Sequence, residues 1–224
     1  MIASNARAKT EIVDMIERIL KSDKDLQEGL KFLTEQDSIL SQAIDKEKKI
    51  TLRNRSSGFS SLLKTIVSQQ LSTAAAGKIW QRIVDSGLNN QKGILQVKAE
   101  TLLSLGLSRQ KCSYAYALAS ANLNYHSFRE MNSDQVINQL IEIKGIGKWT
   151  AQIYCMFSLE RANVFPAGDL ALQEAVRILF KLKERPSEKE VESRAEHWAP
   201  WKSLAALVLW DFYGRERKRK GVLW

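Results

Sequence analysis

The chain has few cysteines, prolines, glycines and histidines. The shortage of cysteine and histidine argues against disulfide frameworks and metal centres. Its 224 residues include 2 cysteines, 3 prolines, 11 glycines and 2 histidines. Cys112 and Cys155 are too few for a disulfide framework or an iron–sulfur cluster, and a thiol in an apolar helix is normally inert. His126 and His197 are isolated in the sequence, so we expect no metal held by side chains and no cofactor.

Helix-breaking residues and long apolar runs are also scarce. Apolar residues recur mostly at a spacing of three to four, which predicts an all-α fold. No apolar run reaches the roughly 18 residues of a membrane span. Residues 1–15 lack the apolar core of a secretory signal, so a soluble intracellular protein is expected.

Acidic residues are outnumbered by basic ones. The chain has 34 Lys and Arg against 25 Asp and Glu, which gives a formal net charge of +9. This excess favours an anionic partner, either a nucleic acid or an acidic membrane surface. Charge alone does not choose between the two.

A glycine-hinged turn followed by a proline and an aspartate is the most informative motif. Residues 141–172 read IEIKGIGKWTAQIYCMFSLERANVFPAGDLAL. Gly145 and Gly147 flank Ile146 between two helical runs, which predicts a tight turn whose N–H groups can bind phosphate. Asp169 precedes the helical run LALQEAVRILF, where its carboxylate is a predicted N-cap favoured by the helix dipole.

A polar cluster interrupts an apolar stretch earlier in the chain. Residues 59–84 predict a helix, a break at Ser68-Gln69-Gln70 and a second helix. Buried amides without partners cost free energy, so we expect Gln69 and Gln70 to face solvent, backbone groups or a ligand.

Capping residues predict further helix boundaries. The predicted features are two or three amphipathic helices before residue 50, a helix ending at Gly106, a helix capped by Ser108, a capping box from Ser187 to Glu190, a last helix from Lys202 to Tyr213, and a basic, frayed tail.

Together these segments resemble DNA-3-methyladenine glycosylase II, the alkylated-base branch of the helix-hairpin-helix base-excision glycosylases. The resemblance extends from about residue 59 to 213 and rests on IVSQQLS, LLSLGLSRQKCSYAYALA, GIGKWTAQIY, FPAGDLAL and PWKSLAALVLW. Its signature is the ordered set Gly145, Gly147, Trp149, Thr150, Ala151, Pro166 and Asp169. Several members of this branch carry a β-rich N-terminal domain, whereas this N-terminus predicts helices and therefore a compact form.

The resemblance implies two small helical lobes with the active site in the cleft between them. One lobe would comprise residues 1–57 plus 160–224, and the other residues 58–159, ending in the helix-hairpin-helix. Residues 215–224 would form a basic tail.

The resemblance also implies a chemistry. The protein would flip out alkylated, cationic purines such as 3-methyladenine and hydrolyse the N-glycosidic bond, with Asp169 as the catalytic residue. Trp149 and Trp210 would line the base pocket. Related glycosylase-lyases carry a nucleophilic lysine where this chain has Trp149, and Lys144 and Lys148 point elsewhere, so no strand cleavage is expected.

The expected partner is double-stranded DNA that contains a damaged base. The protein would be a monomer that resides with DNA, in the cytoplasm and nucleoid or in the nucleus. By the resemblance, the hairpin carbonyls can also coordinate a monovalent cation, and Gln70 would fill the gap left by the flipped base. The DNA-binding set would comprise Gly145, Ile146, Gly147, Lys148, Thr150, Gln69 and Gln70.

Other interpretations remain open. Trp149 and Trp210 could be core residues, and Asp169 could act solely as a cap. Ile153 replaces a tyrosine found in some relatives, so a glycosylase of the same fold could act on another lesion. A third possibility is a non-catalytic DNA-binding module that uses the hairpin only to hold phosphate.

Overall fold

The computed structural model describes residues 17–45, 47, 50 and 57–219. All regular elements in these residues are helical, which confirms the all-α prediction, and the β contact they contain is an isolated antiparallel bridge between Ile19 and Arg161. In this part of the chain no helix has the length and apolarity needed to cross a membrane. Helices predicted within residues 1–16 and the tail residues 220–224 lie outside the described residues.

The described helices number twelve, with two 3₁₀ turns. They are α1 Asp23–Gln36, α2 Ser38–Ser41, α3 Phe59–Ser68, α4 Thr73–Asp85, α5 Gln91–Gln96, α6 Ala99–Ser104, α7 Arg109–Ser120, α8 Ser133–Ile141, α9 Lys148–Phe157, α10 Leu170–Leu179, α11 Glu188–Ala195 and α12 Lys202–Arg219, with 3₁₀ turns at Ser127–Arg129 and Glu196–Trp198.

The chain divides into two compact units with boundaries at residues 53/54 and 154/155. The sequence had predicted boundaries at 57/58 and 159/160. We call residues 54–154 the central unit, and the residues before and after them the terminal unit.

The central unit has a core formed by α3, α5, α6 and α7. Helix α7 packs against α3, α5 and α6. It buries Ala115 and Leu118, and α3 buries Leu62 and Ile66. The predicted boundaries before α7 are confirmed: Gly106 has a φ of +104° after α6, and the Ser108 hydroxyl accepts from the Lys111 N–H. These caps fix where α7 begins.

The terminal unit is built around α10 and α12, which pack against each other. Trp198 is fully buried and donates its indole N–H to Asp37 at 2.9 Å, which anchors the start of α2. The predicted capping box of α11 is confirmed, because Ser187 and Glu190 each bind the other's backbone N–H.

Helix α12 begins at Lys202 as predicted but continues to Arg219, beyond the predicted end at Tyr213. Residues 215–219 are therefore helical rather than frayed. Arg215 supplies the physical reason, since it bonds Asp211 one turn earlier at 3.1 Å and donates to the Ala43 carbonyl.

Candidate active site and DNA-binding hairpin

The predicted hairpin lies in the central unit, between α8 and α9. Its turn closes where the Ile146 N–H donates to the Ile143 carbonyl at 2.9 Å. Gly145 has a φ of +96°, and a Cβ added there would lie 2.2 Å from Cγ of Tyr114. Glycine is therefore needed at 145 both for its backbone conformation and for the close approach of the Tyr114 ring.

The turn combines buried side chains with exposed backbone positions. The side chains of Ile146 and Thr150 are each only 3% exposed, and the Ile146 N–H is already bonded within the turn. Gly147 and Lys148 are exposed, and the N–H groups of Gly145 and Gly147 donate to no other described residue. The contacts between DNA and the hairpin residues stay predictions, and the backbone at Gly147 and the Lys148 side chain are exposed.

The polar break between α3 and α4 is bonded to the hairpin through Gln69. Its side-chain amide donates to the Gly145 carbonyl at 3.0 Å, and its side chain is half-buried. Gln70 is exposed at a φ of +56°. The backbone partner of Gln69 is one of the environments expected for it, and the DNA contacts of both glutamines stay predictions.

Lys111 bonds the residue that directly precedes the polar break. The Lys111 ammonium donates to the Val67 carbonyl at 2.6 Å, and burial lowers the pKa of Lys111 from its ordinary value. Lys111 and Tyr114 both lie on α7, and sequence analysis assigned a role to neither. Their partners are distant in sequence, so no local pattern indicated them.

We predict that Gln69→Leu loosens the link between the break and the hairpin. Losing one hydrogen bond to a backbone carbonyl should lower the free energy of unfolding by about 1 kcal/mol and weaken binding to abasic duplex DNA by about 2- to 10-fold. Urea unfolding and fluorescence anisotropy measure these two quantities. Gln70→Ala is the matched control, whose unfolding free energy should stay within about 0.5 kcal/mol of wild type. Equal unfolding free energies for the two variants would contradict the proposed link.

The segment preceding α10 is a tight turn held from two sides. The Asp169 N–H donates to the Pro166 carbonyl at 2.9 Å, which closes the turn. Gln173 is buried, and its side-chain amide donates to the Ala167 carbonyl at 3.0 Å. Sequence analysis did not single out Gln173, whose bond fixes the backbone leading into Asp169.

Asp169 caps α10, as predicted. Its Oδ1 atom accepts from the N–H groups of Ala171 at 2.9 Å and Leu172 at 3.1 Å. The same oxygen accepts from the indole N–H of Trp210 at 3.2 Å. The structure therefore brings two of the predicted site residues, Asp169 and Trp210, into direct contact within the terminal unit.

Trp149, predicted to line the base pocket, lies in the central unit. It is the second residue of α9 and is 39% exposed. Tyr154, next to position 153, is a core residue. It is 2% exposed, accepts from the Gly58 N–H at 2.9 Å and packs edge-on against Phe128.

No cluster of three or more potential metal-binding side chains occurs among the residues that the structure describes. Cys112 and Cys155 are buried, and burial raises the pKa of the Cys112 thiol, which disfavours the reactive thiolate.

Comparison with known proteins bears directly on this arrangement of hairpin, proline and aspartate. Residues 63–200 match the HhH-GPD superfamily of base excision DNA repair proteins, a span of more than half the chain. The chain belongs to this superfamily. Net charge left a nucleic acid and an acidic membrane surface as possible partners. Membership in a DNA repair superfamily selects DNA.

Individual superfamily members are similar over most of the chain. The structure of a DNA-3-methyladenine glycosidase from Bacillus halodurans has a TM-score of 0.76 and 31% identity, covering 90% of this chain and 94% of that one. The Schizosaccharomyces pombe 3-methyladenine DNA glycosylase Mag1, solved with abasic DNA, has a TM-score of 0.70 and 25% identity, covering 82% and 95%. The alkylbase DNA glycosidase-like protein mag2 of S. pombe is 28% identical over 211 residues, 89% of this chain and 99% of that protein.

Proposed function

We propose that this protein is a monofunctional DNA glycosylase that removes alkylated, cationic purines such as 3-methyladenine and leaves an abasic site. Superfamily membership and the names of the similar proteins support this activity. The observation that carries it is the carboxylate of Asp169, which three N–H donors hold at the mouth of α10.

The proposed reaction breaks the bond between the deoxyribose C1′ and the base nitrogen. The base departs with the bonding electron pair, positive charge builds on C1′, and water supplies the new C1′–O bond while its proton goes to solvent. A fixed carboxylate beside C1′ lowers the energy of this oxocarbenium-like transition state. Asp169 takes that role.

A cationic base requires no general acid, because it leaves as a neutral molecule once it takes the electron pair. Its charge also favours binding against an aromatic face. Trp149 and Trp210 would supply such faces to the flipped base. Each contact is worth about 0.5 to 2 kcal/mol, which biases binding toward charged bases without rejecting normal ones.

The absence of lyase activity follows from position 149. An amine nucleophile there would form a Schiff base with the sugar, whereas the indole of Trp149 cannot. DNA strands should therefore break only after alkali cleaves the abasic product.

DNA would be held by the hairpin and wedged by the polar break. The N–H groups of Gly145 and Gly147 suit a phosphate, and Lys148 adds a positive charge at the start of α9. Gln70, exposed at the tip of the break, would fill the gap left by the flipped base.

The hairpin carbonyls also fit the monovalent cation that the resemblance implies. Those of Ile143 and Gly145 each accept one hydrogen bond, from Ile146 and Gln69 respectively. A carbonyl oxygen has two lone pairs, so each retains acceptor capacity. A cation bound there would supply positive charge near a phosphate.

A specific observation favours a second candidate, a glycosylase of the same fold for another lesion. Ile153 is buried where some relatives have tyrosine. The adjacent Tyr154 is buried in the core, where its hydroxyl accepts from the Gly58 N–H. The proposed pocket would then differ in shape from that of those relatives.

A substrate panel tests the proposed function. Duplexes that carry 3-methyladenine, 7-methylguanine, an etheno adduct, a deaminated base or a mismatch would be incubated with wild type and with Trp149→Ala, and free base measured by chromatography. We expect release of the methylated purines by wild type and a slower release by Trp149→Ala. Release of an etheno or deaminated base alone would favour the second candidate, and tight DNA binding without any release would favour a non-catalytic module.

A further inference from the structure

The indole of Trp210 is fixed both at its N–H edge and on one face. Its Nε1 atom donates to Oδ1 of Asp169 at 3.2 Å. The ring of Phe157 stacks on it with centroids 6.0 Å apart and an interplanar angle of 25°. All three residues belong to the terminal unit, where α10 and α12 pack against each other.

This N–H adds a side-chain donor to an oxygen that the helix already binds. The N–H groups of Ala171 and Leu172 approach Oδ1 of Asp169 from the first turn of α10, and the Trp210 N–H approaches from α12. Donors from two elements define the plane of the carboxylate more tightly than the helix end alone. A carboxylate oriented before the substrate arrives needs no reorganisation when charge develops on the sugar.

The stack with Phe157 also restricts how Trp210 can meet a base. One face of the indole is covered by the Phe157 ring, so at most the opposite face remains for stacking. The sequence predicted that Trp210 lines the base pocket. In the structure, its indole N–H also binds the carboxylate of Asp169.

We infer that Trp210 is a positioning residue, whose indole N–H orients the carboxylate of Asp169 for the chemical step. This inference rests on the proposed glycosylase function and deepens it. A pocket wall acts on base binding and on selectivity among bases. A positioning residue instead acts on the rate of bond cleavage, by a similar factor for every base that the enzyme removes.

Trp210→Phe and an isosteric replacement separate these roles. Phenylalanine keeps an aromatic ring over Phe157 but has no N–H. Incorporation of 3-benzothienylalanine at position 210 keeps the size of the indole and replaces its N–H by sulfur. Trp80→Phe is the matched control, since Trp80 lies in the central unit beneath the Lys64 ammonium.

The maximal single-turnover rate on methylated duplex DNA is the first readout. The second is the enzyme concentration that gives half this rate, which reports affinity for the duplex with its damaged base. Loss of a hydrogen bond to a charged group should slow release by about 10- to 100-fold in both position-210 variants. The factor should be similar for 3-methyladenine and 7-methylguanine, and affinity for the methylated duplex should stay within about twofold of wild type. Trp80→Phe should match wild type in both readouts.

Two results would overturn the inference while leaving the proposed function intact. One is release at the wild-type rate by the benzothienylalanine variant, and the other is weakened binding with an unchanged single-turnover rate. Absence of release by wild type would instead refute the proposed function, and the inference with it. Thermal unfolding identifies a misfolded Trp210→Phe protein, in which case the isosteric variant decides.

Discussion

Replacing Asp169 with asparagine is expected to abolish base release while leaving the protein folded. The amide keeps an oxygen that can accept from Ala171 and Leu172, and asparagine caps helices about as well as aspartate. It lacks the negative charge that stabilises a cationic sugar. We expect the single-turnover rate to fall by at least about 100-fold, measured as methylpurine released from methylated duplex DNA.

A cap variant elsewhere in the same unit controls for helix stability. Ser187→Ala removes the N-cap and capping box of α11, which costs about 1 kcal/mol, and should leave the single-turnover rate unchanged. Affinity of Asp169→Asn for abasic DNA should equal or exceed that of wild type, because a negative charge near the phosphates is removed. Equal release rates for Asp169→Asn and wild type would show that Asp169 acts only as the N-cap of α10.

Replacing Gly145 with alanine is expected to be the most damaging change in the hairpin. The new Cβ would lie 2.2 Å from Cγ and 2.6 Å from Cβ of Tyr114, too close to the α7 backbone for the ring to swing away. The φ of +96° adds strain for any residue with a side chain. Together these effects should lower the free energy of unfolding by about 2 to 5 kcal/mol and abasic-DNA affinity by about tenfold or more.

Gly147→Ala is the matched control in the same hairpin. A Cβ at Gly147 would meet no heavy atom within 4 Å, so its unfolding free energy should stay within about 0.5 kcal/mol of wild type. Urea unfolding and anisotropy titrations compare the two variants. If both alanine variants lost similar amounts of stability, the close packing of Tyr114 against Gly145 would be refuted.

Local features of this protein were predictable from its sequence. The caps at Ser108, Asp169 and Ser187 each bind helix N–H groups within three residues, so a short pattern contains the groups that they cap. The hairpin glycines were predictable for the same reason, because a tight turn between two apolar helices constrains few residues.

Long-range contacts at the candidate site were not predictable in this way. The bond from Trp210 to Asp169 spans 41 residues, that from Gln69 to Gly145 spans 76, and that from Lys111 to Val67 spans 44. Which donor meets which acceptor depends on how the helices pack, and helical spacing alone does not encode it. The end of α12 was misjudged for a similar reason, since Arg215 is held by Ala43, far away in sequence.

The proposed activity is hydrolysis of the glycosidic bond of alkylated purines without cleavage of the DNA strand. The most direct test follows free base and abasic sites in one reaction on methylated duplex DNA, with strand breaks counted before and after alkali. We expect equal amounts of released methylpurine and abasic sites, with strand breaks appearing only after alkali. Breaks before alkali, or a covalent enzyme–DNA adduct trapped by borohydride, would contradict the monofunctional mechanism, and the absence of released methylpurine would contradict the assigned activity.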